Sequence, residues 1–312
     1  MKNKLTRKLM LSAFTLLFAV ISLGASTYAW FTMSENANVE AFSAEVKAGE
    51  GIEIAVTSSE SHANAQWYTG TVPTNIVQDV AVAEDFKFDA VTPVDGTIGA
   101  FNKRDGVSLK PTSEGYIAFY IHIKAAQAGT ISLTDITFAT TNDVDWKADA
   151  AYVLNPKAAG EDDDVNVSVN DLVRYKVENA ARIALLYDSG NSQSSNKQYK
   201  VYEKVEDLDY TLVEGVLPAG NQIGCKNNGG SLSYYNSKVK ESITAPTSDP
   251  YTSMPQIGGT LSKLDLKTVE GSTDVLTIQV KVWIEGWDAE CLNAIFAQKL
   301  AVTLSFAYAP KQ

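Results

Sequence analysis

Ten residues near the end of the chain alternate without a break. Leu276, Ile278, Val280, Val282 and Ile284 fall on one side, and Thr277, Gln279, Lys281, Trp283 and Glu285 on the other. A period of two with one polar face marks a strand in an antiparallel sheet that packs a core on one side only. The pattern recurs in Ile52, Ile54 and Val56, in Ile117, Phe119, Ile121 and Ile123, and in Leu300, Val302, Leu304, Phe306 and Tyr308. Burying one five-residue face contributes roughly 7–15 kcal/mol before entropy costs, at ~1.5–3 kcal/mol per large apolar side chain.

Turn-rich stretches separate these runs. "DSGNSQSSNK" and "KNNGGS" read as turns, and residues 245–259, with three prolines and two glycines, as a long surface loop. In residues 172–188, Val173, Tyr175 and Val177, then Ile183, Leu185 and Tyr187, alternate around a break at Asn179, which favours two strands over a helix. One short helix is expected near the C-terminus, with Asp288 as N-cap and Ala289 to Phe296 following. Many strands and few helices point to an all-β fold, an antiparallel β-sandwich. Alternation alone leaves jelly-roll and immunoglobulin-like topologies open.

The N-terminus is of another kind. Residues 1–8 are basic, Leu9 to Ala25 are apolar, and Thr27-Tyr28-Ala29 places small side chains three and one residues before a cut between Ala29 and Trp30. That is the layout of a secretory signal. Extended through Phe31, the apolar run also reaches the ~20 residues that span a bilayer, so an uncleaved anchor is the alternative. A pilin-type leader is disfavoured, because Phe18 stands where a Glu is expected and "STYAWFTMSENAN" breaks the long helix that should follow. The division expected is 1–29 as signal peptide or membrane anchor, 30–48 as a leading segment, and 49–312 as one sandwich domain with long loops.

The order Ser26-Thr27-Tyr28-Ala29-Trp30-Phe31, a polar stretch to Asn38, then Ala41-Phe42-Ser43-Ala44 and Ile52-Glu53-Ile54 resembles the TasA/camelysin-like family of proteins exported through the SipW-type signal peptidase. The chain lacks the family's Gly before Thr27, and its gap before the first alternating strand is longer. The resemblance implies a jelly-roll-like sandwich, cleavage by that peptidase, and subunits of biofilm-matrix fibres on a Gram-positive-type cell surface.

Charge narrows the partners. The chain carries 26 basic and 37 acidic side chains, net −11. Lys2, Lys4, Arg7 and Lys8 are the only charges before Glu35, and without them the balance is 22 basic to 37 acidic, or −15. Such a surface repels nucleic acid and anionic lipid, so contact with a membrane is expected only through the N-terminal segment. Two cysteines, Cys225 and Cys291, are too few for a disulfide framework. One bridge between them is open in an oxidising compartment; two thiols is the preferred reading.

Catalytic signatures are sparse. The two histidines are His62, in a polar loop, and His122, on a strand. There is no His-Glu-x-x-His and no nucleophile elbow. His122 reads as a structural strand residue, and the chain as a non-enzyme. Asp162, Asp164 and Asn166 are spaced like the opening of a calcium loop. Val167 replaces the turn glycine and Val173 the bidentate glutamate, so the loop is no EF-hand, and a solvated acidic turn is the plainer reading. Asp143 and Asp145 stand under the same reading. No cofactor is expected unless that loop takes calcium. Trp283 and Trp287 either line a sugar-binding groove or pack at the strand end, and packing is favoured.

A mature chain beginning Trp30-Phe31 exposes two aromatics whose burial is worth roughly 1.5–3 kcal/mol each. The leading segment folds back on its own sandwich or adds as a donor strand to a neighbour's open sheet, with Trp30, Phe31, Val39 and Phe42 as pocket contacts. The second course builds an open filament. The leading expectation is a secreted, non-enzymatic fibre subunit that associates with itself and with related matrix subunits. The alternative is a membrane-anchored surface module that binds a glycan or host ligand.

Overall fold

The computed structural model describes residues 42–83, 86–94, 98–105, 108–140, 145–153, 166–174, 176–190, 195–204, 230–239, 256–257, 263–286, 288, 291–293, 295 and 298–312. The first half contains β1 (Ser43–Ala48), β2 (Ile52–Thr57), β3 (Thr71–Val72), α1 (Thr74–Ala81), β4 (Ala90–Pro93), β5 (Phe101–Asp105), β6 (Ser108–Thr112), β7 (Ile117–Ala125), β8 (Gly129–Thr140), β9 (Asp145–Lys147) and β10 (Tyr152–Val153). The second contains β11 (Asn166–Val167), β12 (Leu172–Arg174), α2 (Val177–Ala180), β13 (Ala181–Asp188), β14 (Lys197–Lys204), α3 (Gly230–Val239), β15 (Gln256–Ile257), β16 (Leu264–Val269), β17 (Leu276–Glu285) and β18 (Leu300–Pro310).

Two sheets carry the fold. One has five strands in the order β16-β8-β18-β1-β3. The other has nine: β15-β14-β13-β17-β4-β5-β6, with β7 also paired to β17 and β2 paired to β7. The inward rows expected from alternation meet in one core. Ile54, Ile121, Ile123, Leu185, Ile278 and Val280 of the larger sheet share it with Val46, Ile131, Leu133, Leu304 and Phe306 of the smaller. Each is 3% exposed or less, which is what a period of two demands when one face meets a second sheet.

The sheets are mixed rather than purely antiparallel. β1 runs parallel to β18, from Ser43 opposite Ala301 to Ala48 opposite Phe306. β14–β15 and β17–β4 are parallel as well. Period-two patterning is the same in either direction, so it does not report this. β1 and β2 are consecutive yet lie in different sheets, joined through Gly49-Glu50-Gly51. Gly51 has φ +84°, and a Cβ there would come within 2.9 Å of the Tyr308 ring, so the link requires glycine.

Residues 172–188 fold as a short strand, a helical turn and a long strand, β12, α2 and β13, with Asn179 inside the turn. α1 and α3 have no clear signal in the sequence: α1 follows Pro73 without a side-chain cap, and α3 begins at Gly230 inside a turn-like stretch. The short helix expected from Asp288 is replaced, among the described residues, by tight turns. Cys291 N–H donates to the Asp288 carbonyl, Ile295 to Leu292 and Gln298 to Ile295, each at 3.1 Å and each three residues back. No described helix is long and apolar enough to cross a membrane.

Candidate functional site

The outward face of the larger sheet is where polar side chains gather. Its central strand, β17, faces β7 along one edge from Leu276 (opposite Ile123) to Val282 (opposite Ile117). Beyond that, the same edge pairs with β4 at Ile284 and Glu285. The sheet forks there, and the β4–β6 ribbon folds over one half of the outward face. Val91, Ile98 and Phe101 pack onto Ala184, Val201 and Trp283 in a second apolar cluster.

Under this roof the polar positions are buried and each is answered. The Lys281 ammonium donates to the Ile98 carbonyl at 2.7 Å and the Gly99 carbonyl at 3.3 Å, and lies over the Phe101 ring. Burial pushes its pKa down. Ile98 is held at φ +55°, a costly conformation for a β-branched residue. Trp283 is fully buried and packs edge-to-face on Phe101, its Nε1–H donating to Glu285 Oε2 at 3.0 Å. Arg182 is 1% exposed and pairs with Asp288 at 2.7 Å and Glu203 at 2.8 Å. Burial alone would push the guanidinium pKa down, but Asp288, Glu203 and Glu285 outweigh it and move it up.

The other half of the face is open. Tyr120, Gln279, Leu186 and Tyr199 are register mates on β7, β17, β13 and β14 and form one row across the sheet. The row beside it holds His122 and Thr277 as mates, with Asp188 opposite Lys197. The first row, with Thr277, Asp188 and Lys197 of the second, lines a cleft of about 330 Å³ that also includes Glu60 and Lys267; His122 lies outside its lining. Gln279 Nε2 donates to the Tyr120 hydroxyl at 3.0 Å, and Tyr199 is 43% exposed. Asp188 accepts from the Ser195 hydroxyl and from the backbone N–H groups of Gly190 and Asn196, which tie the β13–β14 turn and hold its pKa below the usual range. Lys267 is paired with Asp274 at 2.7 Å.

His122 closes the floor next to the cleft. Its Nε2 lies 2.8 Å from Thr57 Oγ1 and its Nδ1 3.0 Å from Thr277 Oγ1. The Thr57 hydroxyl gives its single proton to the Ser59 carbonyl at 2.6 Å, so towards His122 it accepts. The network therefore assigns the proton to Nε2, with Nδ1 accepting from Thr277. Burial first, then the His62 ring with its centroid 5.3 Å away, lowers the His122 pKa to about 4. Both ring nitrogens are committed to holding β2, β7 and β17 together, which is a positioning role.

The residues singled out from the sequence are scattered. Ala29, Trp30, Phe31, Val39, Asp143, Asp162, Asp164, Cys225 and Trp287 lie outside the described residues. Phe42 sits in this chain's own core, 2% exposed and edge-to-face with Phe88, its carbonyl accepting from Gln78. Asn166 is exposed on β11 opposite Val153, and Asp145 is exposed on β9. Cys291 is buried. Trp283 packs, and any groove it lined would be filled by Phe101. Among the described residues, no group of three or more His, Cys, Asp and Glu side chains is arranged to hold a metal ion. The cleft row has little signature in the sequence; its one signal is Tyr199, an aromatic among polar residues in "KQYKVYEK". Compared with known proteins, the chain matches no family model and no curated protein.

Proposed function

We propose that this chain is a secreted, non-enzymatic structural protein that assembles into extracellular fibres through its leading segment. In this reading the sandwich is jelly-roll-like, residues 1–29 are removed as a signal helix, and residues 30–41 reach a neighbouring subunit. The export-segment resemblance to the TasA/camelysin-like family supports it. The observation that carries it is the unequal state of the two edges of the five-stranded sheet.

One edge is β16. It is bulged between Asp265 and Lys267 and studded with Lys263, Asp265 and Lys267, features that blunt an edge against pairing. At the other edge, β3 is two residues long and pairs only with Val46 and Lys47. Among the described residues no strand flanks Ser43, Ala44 and Glu45 on that side. On that side α1, which follows β3 directly, packs against β1, and Gln78 donates to the Phe42 carbonyl. An edge without a full strand partner where the leading segment enters, opposite one that is blunted, supports a head-to-tail contact that does not close.

N-terminal sequencing of the extracellular protein, with electron microscopy of the same sample, tests this. Trp30 as first residue and filaments that vanish on deleting residues 30–41 are expected; that deletion leaves Phe42 and β1 in place. Monomers at all concentrations would defeat the fibre reading. Met1 at the terminus would favour the alternative, a surface module held by an uncleaved Leu9–Phe31 anchor.

A further inference from the structure

We propose that the open half of the larger sheet's outward face is a binding site for a neutral oligosaccharide. This goes beyond the fibre reading and does not depend on it. The argument starts from register. Tyr120 and Tyr199 stand at the two ends of one cross-strand row, with Gln279 and Leu186 between them. Three strand spacings of ~4.8 Å separate the two rings by about 14 Å. That places two tyrosine rings along a shallow trough, the exposed Tyr199 and the half-buried Tyr120, whose other neighbour is the parallel His122 ring at 6.4 Å, with an amide between them.

The C–H-rich faces of a sugar ring stack on the electron-rich face of an aromatic ring, and sugar hydroxyls exchange hydrogen bonds with amides. Tyr199 supplies the exposed platform, and the Tyr120 ring is held in place through its hydroxyl by Gln279. The cleft, at about 330 Å³, is within the range of small-ligand sites. The β4–β6 roof borders the trough along its length, over the neighbouring row of Lys281, Ala184 and Val201.

Charge chooses among ligands. Glu60 and Asp188 stand in the cleft with Lys197 and Lys267, the latter already paired with Asp274, and the chain as a whole carries −11. A polyanionic sugar meets no net attraction locally and repulsion overall. A peptide strand would need a row of backbone donors and acceptors, whereas the floor is side chains on paired strands. A second copy of the chain would need an apolar centre, and the row offers only half-buried Leu186.

The test is titration calorimetry and saturation-transfer NMR of the purified protein with cellotetraose, chitotetraose, laminaritetraose and maltotetraose. At least one is expected to saturate, with Tyr199→Thr weakening it about tenfold and Gln279→Ala severalfold. On the wild-type protein, the bound sugar is expected to protect Tyr199 from iodination, a readout that stands even if a variant does not fold. The proposal is overturned if none of the four sugars saturates, or if Tyr199→Thr binds as well as wild type. Tighter binding of an alginate tetramer would overturn the neutral class. Loss of a dimer on Tyr199→Thr in sedimentation would assign the face to a second copy.

Discussion

The same strands build both halves of the larger sheet's outward face, yet the halves have opposite characters. On β17, Thr277 and Gln279 lie in the open half, while Lys281, Trp283 and Glu285 lie under the roof. On β14, Tyr199 is 43% exposed and Val201, two residues on, is 8% exposed. What differs is the β4–β6 ribbon, which joins the edge of β17 at Ile284 and Glu285 and reaches back over Lys281, still opposite Ala118 of β7. Where the ribbon covers the face, every polar side chain has to find a partner out of water. Lys281 finds carbonyls, Trp283 a carboxylate and Arg182 two carboxylates. In the open half only His122 at the floor meets that demand, through Thr57 and Thr277, while the row from Tyr120 to Tyr199 borders the cleft. Stability should therefore concentrate under the roof and recognition outside it.

The largest effect expected is at Arg182. Arg182→Ala leaves Asp288 and Glu203 buried without their cation, which costs about 3–5 kcal/mol. Urea unfolding followed by tryptophan fluorescence measures it. Because Asp288 belongs to the turn after β17 and Glu203 to β14, the loss should appear as global unfolding. A cost below about 1 kcal/mol would mean that the ion group is incidental to the roofed half.

His122 comes next and belongs to the open half's floor. The unfolded chain takes up a proton near the ordinary 6.5, and the folded chain refuses it until about pH 4. Stability therefore falls as pH drops through that window, and this residue's contribution levels off below it. The full effect is about 3 kcal/mol. His122→Gln keeps polar contacts to Thr57 and Thr277 but does not titrate, so the wild-type-minus-variant difference should carry the slope. Carboxylates titrating near pH 4 cancel in that difference. Equal slopes in the two proteins would remove His122 from the account.

How much of this contrast is legible in the sequence follows from what alternation encodes. The inward rows, Ile278, Val280 and Val282 or Leu304 and Phe306, are legible because a second sheet buries one face completely. The outward row reads as solvent-facing, which holds for Thr277 and Gln279 and fails for Lys281 and Glu285; Trp283 packs, as its place at the strand end suggests. The fork is a long-range event: Ala90 and Val91 reach Ile284 and Glu285 from the other half of the chain, and no local pattern announces that. An aspartate before an apolar run usually caps a helix, which is what Asp288 suggests; its carboxylate goes instead to Arg182. Residues 1–41 lie outside the described residues, and from Phe42 on the segment belongs to the chain's own sandwich through Phe42 and β1.

Lys281 sharpens the contrast at intermediate size. Lys281→Ala strips the Ile98 and Gly99 carbonyls of their donor and removes the cation over Phe101. The expected cost is about 1–3 kcal/mol. Since Ile98 is held at positive φ, the same variant should also raise hydrogen-exchange rates locally, around Ile98 to Phe101, more than in β7. Uniform exchange would show that the roof is not pinned there.

Tyr199→Thr should do almost nothing to stability. Threonine keeps a β-former in the strand, the side chain removed is 43% exposed, and the row that Tyr199 ends is open to water. A change within about 0.5 kcal/mol is expected by urea unfolding. The small number carries weight because Tyr199 and Val201 share one strand and one face. If Tyr199→Thr costs as much as Lys281→Ala, the ring is packing against something that covers the cleft, and the open half is open only in outline. If it costs nothing while sugar binding falls about tenfold, the ring contributes to recognition and not to folding.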